Sequence, residues 1–216
     1  SLKKRLLSFV VVGGGFSGVE TIGELREMID RLIKYYRNIS KNEIKFHLIE
    51  YASSLLPELE KEIGLYTLKI LKKQNIKIFL NTKLREVSSM RAYINKNKSI
   101  ESNTIISTIG STASKLLKST QLPLKYGKLI TNEYCQVIDS ENIWALGDCA
   151  LVPNKVAKSD KDTNLVYAPP TAQFAVQQAK VLSKNVVLKT LKRKLKSFKY
   201  TSRGSLASLG SKKGIG

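Results

Sequence analysis

One short stretch constrains this chain more than any other. Residues 7–12 (Leu-Ser-Phe-Val-Val-Val) read as a short, buried, β-branched strand. They run straight into Gly13-Gly14-Gly15-Phe16-Ser17-Gly18. A helical pattern follows at once, with apolar residues at Val19, Ile22, Leu25, Ile29, Leu32 and Ile33, out to about Arg37. A G-x-G-x-x-G turn between a strand and a helix is the context that dinucleotide binding demands. Gly13 permits the tight turn, Gly15 lets a pyrophosphate reach the backbone, and Gly18 lets the helix pack closely on the strand. The phosphate charge then meets free N–H groups at the positive helix end. Gly13, Gly14, Gly15, Phe16, Ser17 and Gly18 are therefore the first candidate binding residues.

The alternation continues. Residues 45–50 form a second strand ending in an acid, Glu50. Pro57 stands where a helix opens, with Glu58, Glu60 and Glu62 suiting its positive end, and that helix runs to about Lys73. Residues 76–80 read as a third strand, 84–100 as a small antiparallel hairpin region, and 104–109 as a core strand closed by Gly110. Strand–helix–strand–helix–strand is the pattern of a parallel sheet. Residues 111–142 are loop-rich, and 143–146 read as a short buried strand running into Gly147-Asp148. A helix is expected from Thr171 to about Leu195 after Pro169-Pro170.

Glu50 stands where a carboxylate accepts hydrogen bonds from the adenosine ribose of NAD, and a carboxylate there repels a 2′-phosphate. It lies 32 residues beyond Gly18, against a usual spacing of about twenty. The long helix and the loop 38–42 account for the excess. Glu20, in the first helical turn, also suits the helix dipole. Asp148, after Gly147, can accept from a sugar or ribityl hydroxyl, or bond its own turn. Pro170, Thr171 and Ala172 form a helix start whose small residues would let a flat ligand approach, or simply a cap.

Composition narrows the classes. The chain has 216 residues, 42% hydrophobic and 25% charged, ordinary for a globular protein of one or two domains. No apolar run approaches the eighteen or more residues of a membrane span. The only cysteines, Cys135 and Cys149, cannot form a CxxC pair, and with one histidine, His47, no zinc site is expected. The net charge of +20 is uneven. Residues 151–216 hold 14 basic and 2 acidic residues, and 180–199 hold eight basic residues with no acid. Such a stretch suits an anionic membrane surface, nucleic acid, a phosphate-bearing cofactor or simply a solvated helix face. Nucleic acid is not expected as a partner, since aromatics are not interleaved with the basic residues.

With these constellations in order, the chain resembles the type II NADH dehydrogenase family, the non-proton-pumping NADH:quinone oxidoreductases. The likeness is carried by VVVGGGFSGVETIGEL at 10–25, LLPEL at 55–59, STIG at 107–110, IWALGDCA at 143–150, PPTAQFAVQQA at 169–179 and FKYTSRGSLASLG at 198–210. The resemblance implies an α/β fold: a Rossmann-like three-layer NAD(P)-binding domain over 1–112, then the second part of an FAD-binding domain over 113–216. It implies hydride transfer from NADH to FAD and electron transfer to a membrane quinone, without charge translocation. It places Glu20 on the nicotinamide side of the flavin and Gln173 on its quinone side. It puts Gly110, Gly147, Asp148, Pro170, Thr171 and Ala172 among the cofactor-binding residues.

The resemblance further implies a respiratory, peripheral membrane flavoprotein on the cytoplasmic face of a bacterial inner membrane, with a homodimer as its assembly. Under the resemblance, the family's first FAD half and carboxy-terminal membrane attachment are expected to lie outside this stretch of sequence. The expectation is an internal fragment that neither holds FAD nor turns over NADH alone. Two alternatives stay open: an FAD-dependent NAD(P)H reductase with another acceptor, and an NAD-binding module without turnover.

Overall fold

The computed structural model describes residues 1–95, 98–110, 114–154, 166–210 and 213–216. The chain divides into two compact units, Ser1–Gly110 with Gly204–Gly216, and Ser111–Arg203.

The first unit opens with a short helix α1 (Leu2–Leu6), the strand β1 (Ser8–Val12) and the helix α2 (Phe16–Leu32). The strand β2 (Lys45–Ile49), the helix α3 (Lys61–Lys73) and the strand β3 (Ile76–Phe79) follow. Three short strands, β4 (Leu84–Val87), β5 (Arg91–Ile94) and β6 (Lys98–Glu101), precede β7 (Thr104–Ser107). The central sheet has the order β3-β2-β1-β7 and is parallel throughout. On one face Val11, Phe46 and Leu48 pack with Val19 and Ile22 of α2 and with Ile70 and Leu71 of α3. On the other, Val10, Val12 and Ile49 pack with Ala92, Ile94 and Ile100 of the antiparallel sheet β4-β5-β6. Two-residue alternation along each strand sends side chains to both faces, and the result is the expected three-layer arrangement.

The expected helix at Pro57 begins later, at Lys61, with Glu60 as its N-cap. Leu55 and Leu56 are buried in the helix-side core instead, and Leu56 takes a positive φ of 50° to donate its N–H to the Gly14 carbonyl at 2.9 Å. Tertiary bracing of the glycine turn overrides the helix-start signal. The first long helix ends at Leu32 and is followed by a 3₁₀ turn, Ile33–Tyr35.

In the second unit come α4 (Lys115–Ser119), β8 (Leu124–Lys125), β9 (Lys128–Ile130), β10 (Ala150–Leu151) and α5 (Ala172–Thr190). Residues 143–146 are not a strand: only an isolated bridge, Gln136 to Trp144, forms there. The helix expected to reach Leu195 stops at Thr190. Fully buried Asn185 sets the path of the chain beyond it. Its Nδ2 donates to the carbonyls of Tyr134 and Lys196, and its Oδ1 accepts from the Lys196 N–H at 2.8 Å. The chain after α5 is thereby folded back, and Phe198 enters the core of this unit. Asn185→Leu strips three backbone groups of their partner at once. At about 1–3 kcal/mol per buried orphan, a loss of several kcal/mol should appear as a lower urea midpoint.

The tail, 204–216, packs with the first unit. There β11 (Ala207–Ser208) pairs antiparallel with β12 (Gly214–Ile215), and Ala207, Leu209 and Ile215 join the helix-side core.

Candidate functional site

The glycine turn sits at the carboxyl end of β1, between β2 and β7. Gly13 has φ +110°, open to glycine, and its N–H donates to the Ile49 carbonyl at 2.8 Å. A Cβ there would come within 2.6 Å of Thr108 Oγ1. That hydroxyl itself donates to the Val12 carbonyl at 2.8 Å, tying the ends of β1 and β7 together. A Cβ on Gly18 would lie 1.7 Å from the Gly13 carbonyl oxygen, so the first turn of α2 is pressed against the loop. A Cβ on Gly14 would meet Leu55 and the Glu50 side chain. Gly15 is different. It is the N-cap of α2, and among the described residues no side chain caps the helix and nothing lies within 4 Å of where its Cβ would be. Three glycines are thus fixed by packing, and the fourth faces open space at an uncapped helix start. Phe16 and Ser17 form the first residues of that helix.

Glu50 follows β2 and is buried. Its Oε2 accepts from the Gly14 N–H and its Oε1 from the Ala52 N–H, both at 2.5 Å. The carboxylate therefore braces the turn, a role that spacing did not reveal. A carboxylate oxygen has two acceptor positions, which leaves capacity for a ribose hydroxyl. Gly110, beyond β7, has φ +42° and open space where a Cβ would project.

Glu20 lies on α2, and its Oε1 accepts from the Ser208 N–H at 3.0 Å; Glu24 Oε1 accepts from the Ser208 hydroxyl at 2.8 Å. Two carboxylates of one helix thus hold the tail strand β11.

In the second unit, Gly147 has φ +68° and donates its N–H to Oε1 of buried Gln178 at 2.8 Å. Asp148 is exposed in the 3₁₀ turn Gly147–Cys149. Thr171 caps α5, its Oγ1 accepting from the Phe174 N–H. Pro170, Thr171 and Ala172 are exposed at that helix start. Gln173 accepts through Oε1 from the Ser202 hydroxyl and the Arg203 N–H. Gln178 and Asn185 were missed by sequence reading. A polar residue on a helix looks solvated until the loop it anchors is known.

The two cysteines differ sharply. Cys135 is fully buried, and burial pushes its thiol up to about 12. Cys149 is half-buried and donates to the Leu146 carbonyl at 3.2 Å. A maleimide at pH 8 should label Cys149 alone in the folded chain, and both thiols after denaturation. Peptide mapping of the labelled chain checks this; native labelling at Cys135 would contradict its burial.

Comparison with known proteins fits this architecture. Type II NADH:quinone oxidoreductases of Staphylococcus saprophyticus and Staphylococcus aureus are each 28% identical over 214 residues, covering 97% of this chain and 51% of the relative. The chain spans about half the length of these curated relatives. The structure of NDH2 from Plasmodium falciparum in complex with NADH superposes with a TM-score of 0.86 at 23% identity, covering 98% of this chain and 57% of that one. An NAD-dependent persulfide reductase from A. fulgidus gives 0.70 at 21% identity, over 93% of this chain and 34% of that one. At those identities the likeness shows a shared fold. The profile of the pyridine nucleotide-disulphide oxidoreductases matches residues 1–179, and the chain belongs to that family.

Proposed function

We propose that this chain is the NADH-binding part, with a portion of the flavin site, of an FAD-dependent NADH:quinone oxidoreductase. One observation carries the reading: packing fixes Gly13, Gly14 and Gly18, while Gly15 opens an uncapped helix start to solvent. Free N–H groups at that start are a ready anion site. The pyrophosphate lies against Gly15, Phe16 and Ser17, and Glu50 accepts from the ribose hydroxyls. The carboxylate disfavours a 2′-phosphate, which selects NADH over NADPH.

In this reading residues 1–112 are the NADH part and residues 113–216 contribute to FAD binding, although the tail Gly204–Gly216 packs with the first unit. Exposed Asp148, Gly147 at its positive φ and the exposed start of α5 suit a flavin nucleotide. Asp148 accepts from a hydroxyl, and Pro170, Thr171 and Ala172 let a flat group approach the helix start. FAD, when bound, supplies the acceptor for the hydride. Glu20 and Gln173 take the nicotinamide and quinone sides. The names of the Staphylococcus relatives support a quinone as final acceptor.

The exposed bases Lys180, Lys184, Lys192 and Arg193, next to exposed Val186, Val187 and Leu191, support contact with an anionic membrane surface. Among the described residues no helix is long and apolar enough to cross a membrane. Attachment at the cytoplasmic face of a bacterial inner membrane, transfer without charge translocation and pairing of two copies complete the reading.

Isothermal titration of the chain with NADH and NADPH is the test. NADH should bind, and more tightly than NADPH. Equal affinities would overturn the assignment of Glu50, and no binding of either would overturn the whole reading.

A further inference from the structure

A parallel sheet is ordinarily covered on both faces, and here one of the two faces is covered only in part. Alternation along the strands turns Ser8, Val10 and Val12 of β1, Lys45, His47 and Ile49 of β2, and Lys77 and Phe79 of β3 to the face that bears the antiparallel sheet. That sheet buries the carboxyl-end half, Val10, Val12 and Ile49. The amino-end half, Ser8, Lys45, His47 and Lys77, is left as the floor of a cleft of about 750 Å³.

The cleft is strongly basic. Lys4 of α1, Arg91 of β5 and Lys98 of β6 join Lys45 and Lys77 in lining it, with Glu101 as the only acid among the described residues there. Glu101 is already engaged, by Arg91 at 3.1 Å and Lys4 at 3.8 Å. Among the described residues no carboxylate pairs with Lys45, Lys77 or Lys98. Three like charges around one concavity repel one another unless an anion joins them. The other wall is apolar. Ile94 and Ile100 line it with Phe79, whose ring stacks on His47 at 6.2 Å and carries the Lys77 ammonium at 5.1 Å. The size is that of a small-molecule site. The floor residues Ser8 and Lys45 precede Gly13 and Glu50 by five residues, about 16 Å at 3.3 Å per residue. The dinucleotide turn therefore does not account for the cleft.

We propose that this cleft is a second anion site, holding a phosphate-bearing small molecule whose phosphate is bound by Lys45, Lys77 and Lys98 and whose remainder rests on partly exposed Phe79. His47 reports on it. Burial holds its imidazole below the usual range, Lys77 and Lys45 push the same way, and the Phe9 backbone opposes them. Its Nδ1 is buried without a hydrogen-bond partner. A bound phosphate offsets the charges of Lys45, Lys77 and Lys98, and the positive charge of Lys4 and Arg91 that the single carboxylate of Glu101 leaves uncompensated. His47 then gains its proton more readily, and by linkage the anion binds more tightly as pH falls.

His47 is the only histidine in the chain, so its ring gives one side-chain NMR signal. Inorganic pyrophosphate and, separately, phosphatidylcholine vesicles doped with phosphatidate are titrated against the 216-residue chain. The same titrations are run on the Gly15→Val chain, in which the dinucleotide turn is blocked. A saturable shift of the His47 signal with pyrophosphate, kept in Gly15→Val and weakened about tenfold or more in Lys45→Ala/Lys77→Ala, supports the site and a soluble ligand. A shift with phosphatidate vesicles alone, lost in the same double variant, supports the site and a lipid headgroup. No shift with either probe, or a shift that survives the double variant or vanishes in Gly15→Val, overturns the proposal. Failure of NADH to bind leaves these outcomes unaffected.

Discussion

Gly15→Val should leave the chain folded and abolish NADH binding. Nothing lies within 4 Å of the new Cβ, and the backbone there, φ −73° and ψ −173°, is open to any residue. The isopropyl group would stand where the pyrophosphate meets the start of α2. Affinity should fall by about a hundredfold or more, which is about 2.7 kcal/mol. Stability should fall by only about 1 kcal/mol, the cost of a β-branched residue in place of glycine at an N-cap. Gly18→Ala should do the opposite first. Its Cβ would lie 1.7 Å from the Gly13 carbonyl oxygen, and backbone cannot yield there without moving α2 off the sheet. Overpacking of this kind costs about 1–3 kcal/mol and sometimes more, so Gly18→Ala should melt early as well as bind poorly. Paired thermal melts and NADH titrations of the two variants check both halves. Undiminished NADH binding by Gly15→Val would remove the pyrophosphate from this turn.

The same glycines show why part of this fold is legible in sequence. A strand, a turn that needs Gly13 and a helix that needs Gly18 are local demands, written in consecutive residues. The strands at 45–49, 76–79 and 104–107 are legible for a like reason, since each is a short apolar or alternating segment bounded by polar residues. Residues 55–59 are not. Pro57 and its flanking acids obey the rules for a helix start, but Leu55 and Leu56 are needed under the glycine turn, and the helix waits until Lys61. Residues 143–146 fail differently. Their apolar run finds one bridge through Trp144 and no ladder, because a strand exists only where a neighbour pairs with it. In the site, Gly13 to Gly18 carry their own signal. Gln178 and Asn185 carry none, since each is polar on a helix and acquires its role from Gly147 or Lys196 across the fold. The cleft beside His47 is hidden for a related reason. Lysines at alternate strand positions resemble a solvated face until the sheet is seen to be central.

Glu50→Gln should lower stability and nucleotide affinity together, and the two losses can be separated. Both carboxylate oxygens accept backbone N–H bonds, from Gly14 and from Ala52. A glutamine amide keeps one acceptor and puts an NH₂ against the other N–H, donor against donor. A buried donor left unsatisfied costs about 1–3 kcal/mol, and the bond lost was one to a charged group. Those two terms together set an expected drop of about 2–4 kcal/mol in urea unfolding. The Gly14 peptide is then released, and the turn that presents Gly15 loosens for any dinucleotide. That effect weakens NADH and NADPH alike. A ribose contact does not: removing the carboxylate relieves the repulsion of a 2′-phosphate, so the NADH preference should also narrow. The expected result is a less stable chain, NADH affinity down by about tenfold or more, and a smaller ratio between the two nucleotides. If NADH and NADPH weaken in parallel with the ratio unchanged, Glu50 is a brace for the turn and another residue reads the ribose. If stability does not change, the carboxylate is not holding Gly14 and Ala52, and its burial must be explained by the ligand alone.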